Sequence, residues 1–277
     1  MQRIKKPIDF HSTLSSVLSL LQANNDKISG KTTDGLIVKI ANTLEEREAV
    51  FRLGYQVYLE KGYIKENYNE WLVQNYDSCE ETIIFIVQDQ FKNIAGSVTL
   101  LFDKNSKLPV EKIYSEEIKE LKKLNPKIAE LSRLVISPNY RNSKSILVLL
   151  FNYLAIYLHR VKEYDGLVVQ VNPRHKIYYK ALLSFDEIGR EKPCPQVQNA
   201  PAVLLFLSTQ KYKKEMNRCK SDVNSIGKER TLYPYFLNAE QEKLVAYYLV
   251  KQSKPITAEE KLYFGLSHSS TGEIVAV

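Results

Sequence analysis

Residues 146–158, ILVLLFNYLAIYL, form an apolar run that only Asn152 interrupts. The run is too short to span a bilayer, and a helix apolar on all sides has to be buried by the rest of the chain. It predicts a core helix around which the fold is built. What feeds that helix is equally constraining. Ile128 to Ile136 (IAELSRLVI) reads as a strand that stops at Ser137-Pro138, and a polar, basic turn, Asn139 to Ser145, comes next. A strand joined to a helix N-terminus by such a turn presents backbone N–H groups and positive charge together, which suits a phosphate. Glu130, Ser132 and Arg133 place a carboxylate, a hydroxyl and a guanidinium on the strand just before it. Chemistry beside a phosphate-gripping turn points to a transferase whose donor carries a phosphate or pyrophosphate handle.

Around this unit the pattern alternates unevenly. Leu36–Ile40 reads as a strand and Leu44–Glu60 as a helix; residues 62–81 are irregular and carry Trp71 and Tyr76. Ile83–Gln88 and Ile94–Phe102 read as strands joined by a hairpin turn at Gln90–Asn93. Lys104–Pro126 is a charged insertion with a helix around Glu116–Leu124. After the apolar helix, which the pattern carries to about Glu163, come a strand at Gly166–Val171, a helix at Lys176–Leu183, and strands near Phe185–Gly189 and Val203–Ser208. A basic stretch, Lys211–Lys220, and a helix at Ala239–Gln252 complete the pattern. This order predicts a mixed α/β sheet with helices on its faces. Neither G-x-G-x-x-G nor a Walker P-loop is present, so nucleotide-cofactor readings lose their main support. Near the start, Asp9 and His11 interrupt what would otherwise resemble a signal peptide, and Leu14, Val17, Leu18 and Leu21 fit one face of a helix packed on the domain.

At 277 residues the chain fits one large domain with extensions. Its net charge of +7 favours an acidic partner: nucleic acid, an anionic membrane surface or an acidic carrier protein. Cys79, Cys194 and Cys219 are widely spaced and odd in number, which fits a reducing compartment. His11, His159, His175 and His268 are scattered and argue for no metal site.

On an extended strand, alternation puts Glu130 and Ser132 on one face and Arg133 on the other, unless a bulge near Leu134–Ile136 re-aims them. Glu130 could accept a proton or orient an amine; its bland alternative is a strand-end ion pair. Arg141 and Lys144, with Asn142, Ser143 and Ser145, would bind phosphate, Ser143 also capping the helix; the alternative is a solvated basic turn. His175 and the Tyr178-Tyr179 pair could protonate a leaving thiolate or simply pack. Tyr58 and Tyr63, beside Trp71 and Tyr76, could line an acyl or aromatic pocket or belong to the core.

Six ordered segments carry a resemblance: FRLGYQVYLEKGYI (51–64), YDSCEETIIFIV (76–87), GSVTLL (96–101), AELSRLVISPNYR (129–141), VNPRHKIYYKALLSF (171–185) and PCPQVQNAPAVLLFL (193–207). Together they resemble the GNAT superfamily of N-acyltransferases. Within it the set is similar to long-chain N-acyl amino acid synthases, relatives of the acyl-homoserine-lactone synthases. The resemblance covers about residues 36–210 and part of the C-terminal extension. It implies a GNAT-like α/β (α+β) fold: a mixed, mostly antiparallel sheet flanked by helices. An acyltransferase domain would occupy residues 36–212, with helical extensions at 1–35 and 213–277.

The implied reaction moves a fatty acyl group from an acyl-phosphopantetheine thioester, on acyl carrier protein or CoA, to an amino acid amine. The thioester is a co-substrate; no permanent cofactor and no metal are implied. Glu130, Ser132 and Arg133 match the Glu-x-Ser-Arg element, and His175 and Tyr179 match the His and Tyr of the Asn-Pro-Arg-His helix start; these five would be catalytic. The backbone of Leu134, Val135 and Ile136 would hold the pantetheine amides, and Arg141, Asn142, Ser143, Lys144 and Ser145 the phosphate. Tyr58, Asp77 and Asn172 fall at substrate-binding positions. A basic surface of Arg141, Lys144, Arg160, Lys162 and the 211–220 run would attract an acidic acyl carrier protein.

Gly54 and Thr99 stand where the autoinducer synthases carry arginines, which argues against acyl-homoserine-lactone synthesis and admits a degenerate module that only holds an acyl carrier or lipid. A GNAT enzyme acting on a protein amine or polyamine is a further alternative. A nucleic-acid binder is disfavoured because basic and acidic residues are interspersed. The expected setting is the cytoplasm, with room for peripheral contact with the inner membrane.

Overall fold

The computed structural model describes residues 35–266 apart from 105–106, 142 and 222–229. The predicted N-terminal helix face and Asn142 lie outside the described residues. Seven strands form one sheet: β1 (Ile37–Ile40), β2 (Ile83–Gln88), β3 (Ile94–Phe102), β4 (Ile128–Ile136), β5 (Gly166–Val171), β6 (Asp186–Cys194) and β7 (Ala200–Ser208). Their order is β1-β2-β3-β4-β5-β7-β6. Every neighbouring pair is antiparallel except β4 and β5. That exception arises from the connection: the apolar helix crosses from the end of β4 back to the start of β5, and only a crossover yields parallel neighbours. This is the mixed, mostly antiparallel sheet that the sequence led us to expect.

Helices cover both faces. On one lies α1 (Leu44–Glu60), started by Thr43, whose side chain accepts the Glu46 N–H, together with α2 (Ser115–Leu124) from the charged insertion. On the other lies the apolar helix, α3 (Lys144–Ile156), continued by a π turn through Val161. The whole helical run, Lys144–Val161, extends past the apolar stretch at both ends and stops close to the expected Glu163. By length and composition it could cross a membrane, but 67% of it is buried within the protein. Phe85, Val98, Leu131, Ile146, Leu150 and Leu154 belong to the core between α3 and the sheet. Phe51, Ile84 and Ile86 form the core under α1, and Tyr114, Ile118 and Val168 the one under α2. Strands buried on both faces read as continuous apolar runs, which explains IIFIV and LVV.

The helix α4 (Pro173–Leu183) begins earlier than its apolar pattern, because Asn172 caps it by accepting the Arg174 N–H. β6 runs beyond the expected Gly189: Arg190, Glu191 and Lys192 lie on an edge strand, where charge is favoured and the β pattern is masked. After β7 come α5 (Thr209–Ser221), α6 (Ala239–Gln252) and a short α7 (Ala258–Tyr263) that the sequence pattern did not anticipate. These helices clasp the sheet from both sides. α6 buries Val245 and Leu249 in the core of the α3 face, while Phe264, just after α7, meets Phe51 of α1 edge-on at 4.9 Å. Arg47 of α1 donates to the Lys254 carbonyl at 3.1 Å and pairs with Glu260 at 3.4 Å.

Candidate active site

β4 and β5 pair only from Ile128–Leu131 to Gly166–Val169. Beyond that point they part. β4 continues to Ile136 bonded to β3, while Gln170 and Val171 of β5 pair with β7. The backbone groups that β4 would offer to β5 beyond Leu131 therefore have no strand to meet. At the closed end of the β4–β5 pairing, β5 starts with Gly166, where a Cβ would lie 2.3 Å from a ring carbon of Phe206 on β7. Glycine makes room there for that ring, so β5 and β7 pair closely.

The β4 ladder is interrupted in the same place. Thr99 faces Ser132 and Ser97 faces Val135, so Arg133 and Leu134 together oppose one residue of β3. This is a β-bulge, with Arg133 in the left-handed region at φ 46°. Alternation had put Arg133 on the face opposite Glu130; the bulge turns it onto the same face. There both its terminal nitrogens bind the Asp77 carboxylate, Nη1 at 2.8 Å from Oδ2 and Nη2 to Oδ1. Nη1 also donates to the Leu72 carbonyl at 2.9 Å and Nη2 to Thr99 Oγ1 at 3.1 Å. The guanidinium lies over the rings of Phe51 and Tyr76. Burial works against its charge, but Asp77 and Tyr76 outweigh it, so Arg133 stays protonated.

The pair corrects two assignments. Asp77 is spent on Arg133 and on the Gln74 N–H at 2.7 Å, so it is a buried anchor rather than a substrate ligand. Arg133 positions the strand, and its charged end is committed to that pair. Gly54, where an arginine was absent, packs directly on Leu72, and Thr99 completes the Arg133 site. Neither position is a gap.

The wedge opens into a cleft of about 490 Å³ that reaches both faces of the sheet. Glu130, Ser132, Leu134, Ile136 and Arg141 line it from β4 and the turn. Gln170 lines it from β5 and Asn172 from the cap of α4; Tyr58 from the end of α1 and Tyr63 from just after it; His175, Tyr178 and Tyr179 from α4; Leu147 and Phe151 from α3. Val135, by contrast, turns its side chain to Leu53 and Val57 of α1. Trp71 packs with Tyr263 and Phe264 instead of entering the cleft, and Tyr76 lies behind Ser132, hydroxyl to hydroxyl at 3.2 Å.

Glu130 is 3% exposed. Its Oε2 accepts the Val110 N–H at 2.9 Å and its Oε1 the Gln170 side-chain amide at 3.3 Å. Among the described residues no cation reaches it. Burial pushes its pKa up to about 7, although both hydrogen bonds pull it down. It is thus a carboxyl that changes charge near neutrality, which is what a general base requires. Gln170 escaped the reading of the sequence, although a lone glutamine in GLVVQV was a visible signal. Its own Oε1 is buried and has no hydrogen-bond partner among the described residues. Val110 could not have been found, because it contributes only a backbone N–H from the insertion.

Across the cleft, His175 Nε2 accepts from Arg174 Nε at 3.1 Å. Burial, Arg174 and Lys61 lower its pKa, so its imidazole is neutral near pH 7 and a poor acid. Tyr179 carries its phenol proton throughout the neutral range, because burial raises its pKa. Tyr58 behaves similarly, with burial raising its pKa to about 12.

The turn before α3 is partly committed. Arg141 lines the cleft but is ion-paired with Glu60. Lys144 sits over the Tyr235 ring at 4.1 Å, and Ser145 is buried. Ser143 occupies the N-cap position without a side-chain capping bond. The five-member basic surface does not exist as one patch. Arg160 is tied to Glu242 at 2.7 Å, and it and Lys162 lie at the far end of α3, roughly 24 Å from Lys144 at 1.5 Å per residue.

A family model described as N-acyl amino acid synthase FeeM matches residues 49–208. Among solved structures, the chain is similar to FeeM, an N-acyl amino acid synthase from uncultured soil microbes, with TM-score 0.56 and 22% identity over 65% of this chain and 93% of that one. It is also similar to the AHL synthase LasI, with TM-score 0.50 and 20% identity over 63% of this chain and 90% of that one. These two likenesses are of fold. No curated protein matches the chain.

Proposed function

Because the chain belongs to the N-acyl amino acid synthase FeeM family, and so is an N-acyltransferase, we propose that it transfers a long-chain acyl group from a phosphopantetheine thioester to the amino group of an amino acid. The observation that carries this reading is the pair of acceptors at the wedge. Among the described residues Glu130 has no counter-cation, and Gln170 Oε1 has no donor. Two buried acceptors side by side suit a substrate that brings N–H donors and a positive charge.

The thioester arm lies in the wedge against the unpaired backbone of β4, whose N–H groups polarise the thioester carbonyl as an oxyanion site does. Glu130 takes a proton from the ammonium, directly or through a water. The amine nitrogen attacks the carbonyl carbon, the C–N bond forms, and the C–S bond breaks. Tyr179 gives its proton to the departing thiolate and takes up the second proton that the nitrogen sheds as the amide forms, so the phenol ends as it began. Much of the acceleration is positioning, since two substrates held on opposite sides of one wedge react as if intramolecular. Arg141 and the first turn of α3 meet the phosphate, with Glu60 exchanged for it. An acyl carrier protein is the donor we favour, docked on Lys61, Arg141 and Arg174 around the cleft mouth. We place the enzyme in the cytoplasm, where such donors are made.

The test is mass spectrometry of lipid extracts from bacteria expressing the chain, beside a Glu130→Gln control. New N-acyl amino acids that disappear in the control are expected. Undiminished product in the control would overturn the base assignment.

A further inference from the structure

A second, smaller chamber of about 30 Å³ lies beyond the cleft; the surface it presents is almost wholly apolar, with His159, Ser208 and Thr209 at its margin. Phe151 and Leu183 line both spaces, so they form the partition between them. The chamber continues the cleft along β5 and α3. Along β5, Val171 and Val169 line the cleft and Leu167, two residues on and on the same face, lines the chamber. Along α3, Leu147 and Phe151 line the cleft, and Phe151, Ala155 and Leu158 the chamber, at helical spacing. Tyr179 and Phe185 buttress the partition, Tyr179 edge-on to Phe151 at 6.1 Å and to Phe185 at 5.6 Å.

The far wall has a different origin. Tyr212, Tyr233 and Phe236 close it, their rings 5.5–6.5 Å apart. All three lie past residue 208, where the match to the family ends. The wall is therefore supplied by the segment that follows the family match.

We propose that this chamber is the terminal subsite for the methyl end of the acyl chain, that Phe151 and Leu183 gate it, and that the Tyr212–Tyr233–Phe236 wall limits chain length. An apolar chamber of this size is unsuited to a polar ligand, because a polar group there would lose its hydrogen bonds. An alkyl end loses nothing. The proposal rests on the cleft taking an acyl thioester.

The experiment measures kcat/KM for a series of acyl thioesters of increasing length, with wild type and two variants. Ala155→Leu fills the chamber without touching the cleft; Phe151→Leu trims the partition while keeping an apolar side chain. Ala155→Leu is expected to lower the longest-to-shortest ratio about tenfold or more, because a hydrophobic pocket discriminates by roughly that factor per methylene. Turnover of the shortest donor stays near wild type. Phe151→Leu is expected to move the preferred length upward. Wild-type turnover with an unchanged length profile in both variants overturns the chamber and leaves the acyl-transfer reading standing. No turnover by wild type with any thioester and amine overturns the reading itself. Thermal stabilisation by free fatty acids of the same lengths, which needs no turnover, separates a misfolded variant from a refuted subsite.

Discussion

Glu130 and Arg133 stand three residues apart on one strand, both buried and both ionisable, yet they are used in opposite ways. Arg133 is held at both its terminal nitrogens: Asp77 takes one donor from each, Leu72 and Thr99 take the others, and Phe51 and Tyr76 cover its plane, leaving only Nε without a partner among the described residues. Glu130 has two neutral donors and no countercharge among the described residues, and its neighbour Gln170 keeps an unmet acceptor. A buried charge that has its counter-ion holds a shape. A buried carboxyl with partners missing stays poised to change charge. The first belongs to the architecture of the wedge and the second to its chemistry, which is how one short element can be both rigid and reactive.

The sharpest way to break the contrast is to unpair Asp77. Arg133→Met should cost about 3–5 kcal/mol, because it strands a buried carboxylate. Chemical denaturation would show it, and combining it with Asp77→Leu should recover much of the loss. Equal stability of the single variant and wild type would refute the architectural role. Glu130→Gln should do the reverse, lowering kcat about a hundredfold while the protein stays folded. The wild-type rate should rise as pH passes about 7, the limb that this variant removes.

Stability should also move with pH. The pKa of Glu130 is raised from 4.5 to about 7 on folding. Between those values the native state keeps a proton that the unfolded chain has lost, so stability falls as pH rises through that window, by on the order of 3 kcal/mol. Glu130→Gln should flatten this component; melting curves between pH 5 and pH 8 would test it. The smallest effect belongs to Gln170. Its hydrogen bond lowers the Glu130 pKa, so Gln170→Leu should shift the rising limb of the rate profile to higher pH, by about a unit at most. A shift to lower pH would show that the amide acts in some other way.

The apolar runs made most of the sheet legible, because strands covered on both faces cannot hide their hydrophobicity. The wedge and its carboxylate were also within reach, since Glu130 and the turn after β4 stand out by residue type. What escaped has definite causes. The sequence allowed a bulge near Leu134–Ile136 without fixing it; it falls at Arg133–Leu134 and reverses side-chain parity, so counting along β4 could not by itself choose the face of Arg133. Asp77 looked available until its partner was found 56 residues away. The charges of β6 concealed an edge strand, and the basic residues of α3 looked like one patch although its two ends are far apart.

The clasp formed by α6 and α7 has a consequence for how the protein is made. Arg47 reaches partners 207 and 213 residues downstream, and Phe51 is covered by Phe264. A nascent chain that has emerged only through β7 holds its catalytic strands but leaves apolar surface open on both faces. The fold can close only once α6 and α7 leave the ribosome, so assembly is late and depends on contacts across most of the sequence.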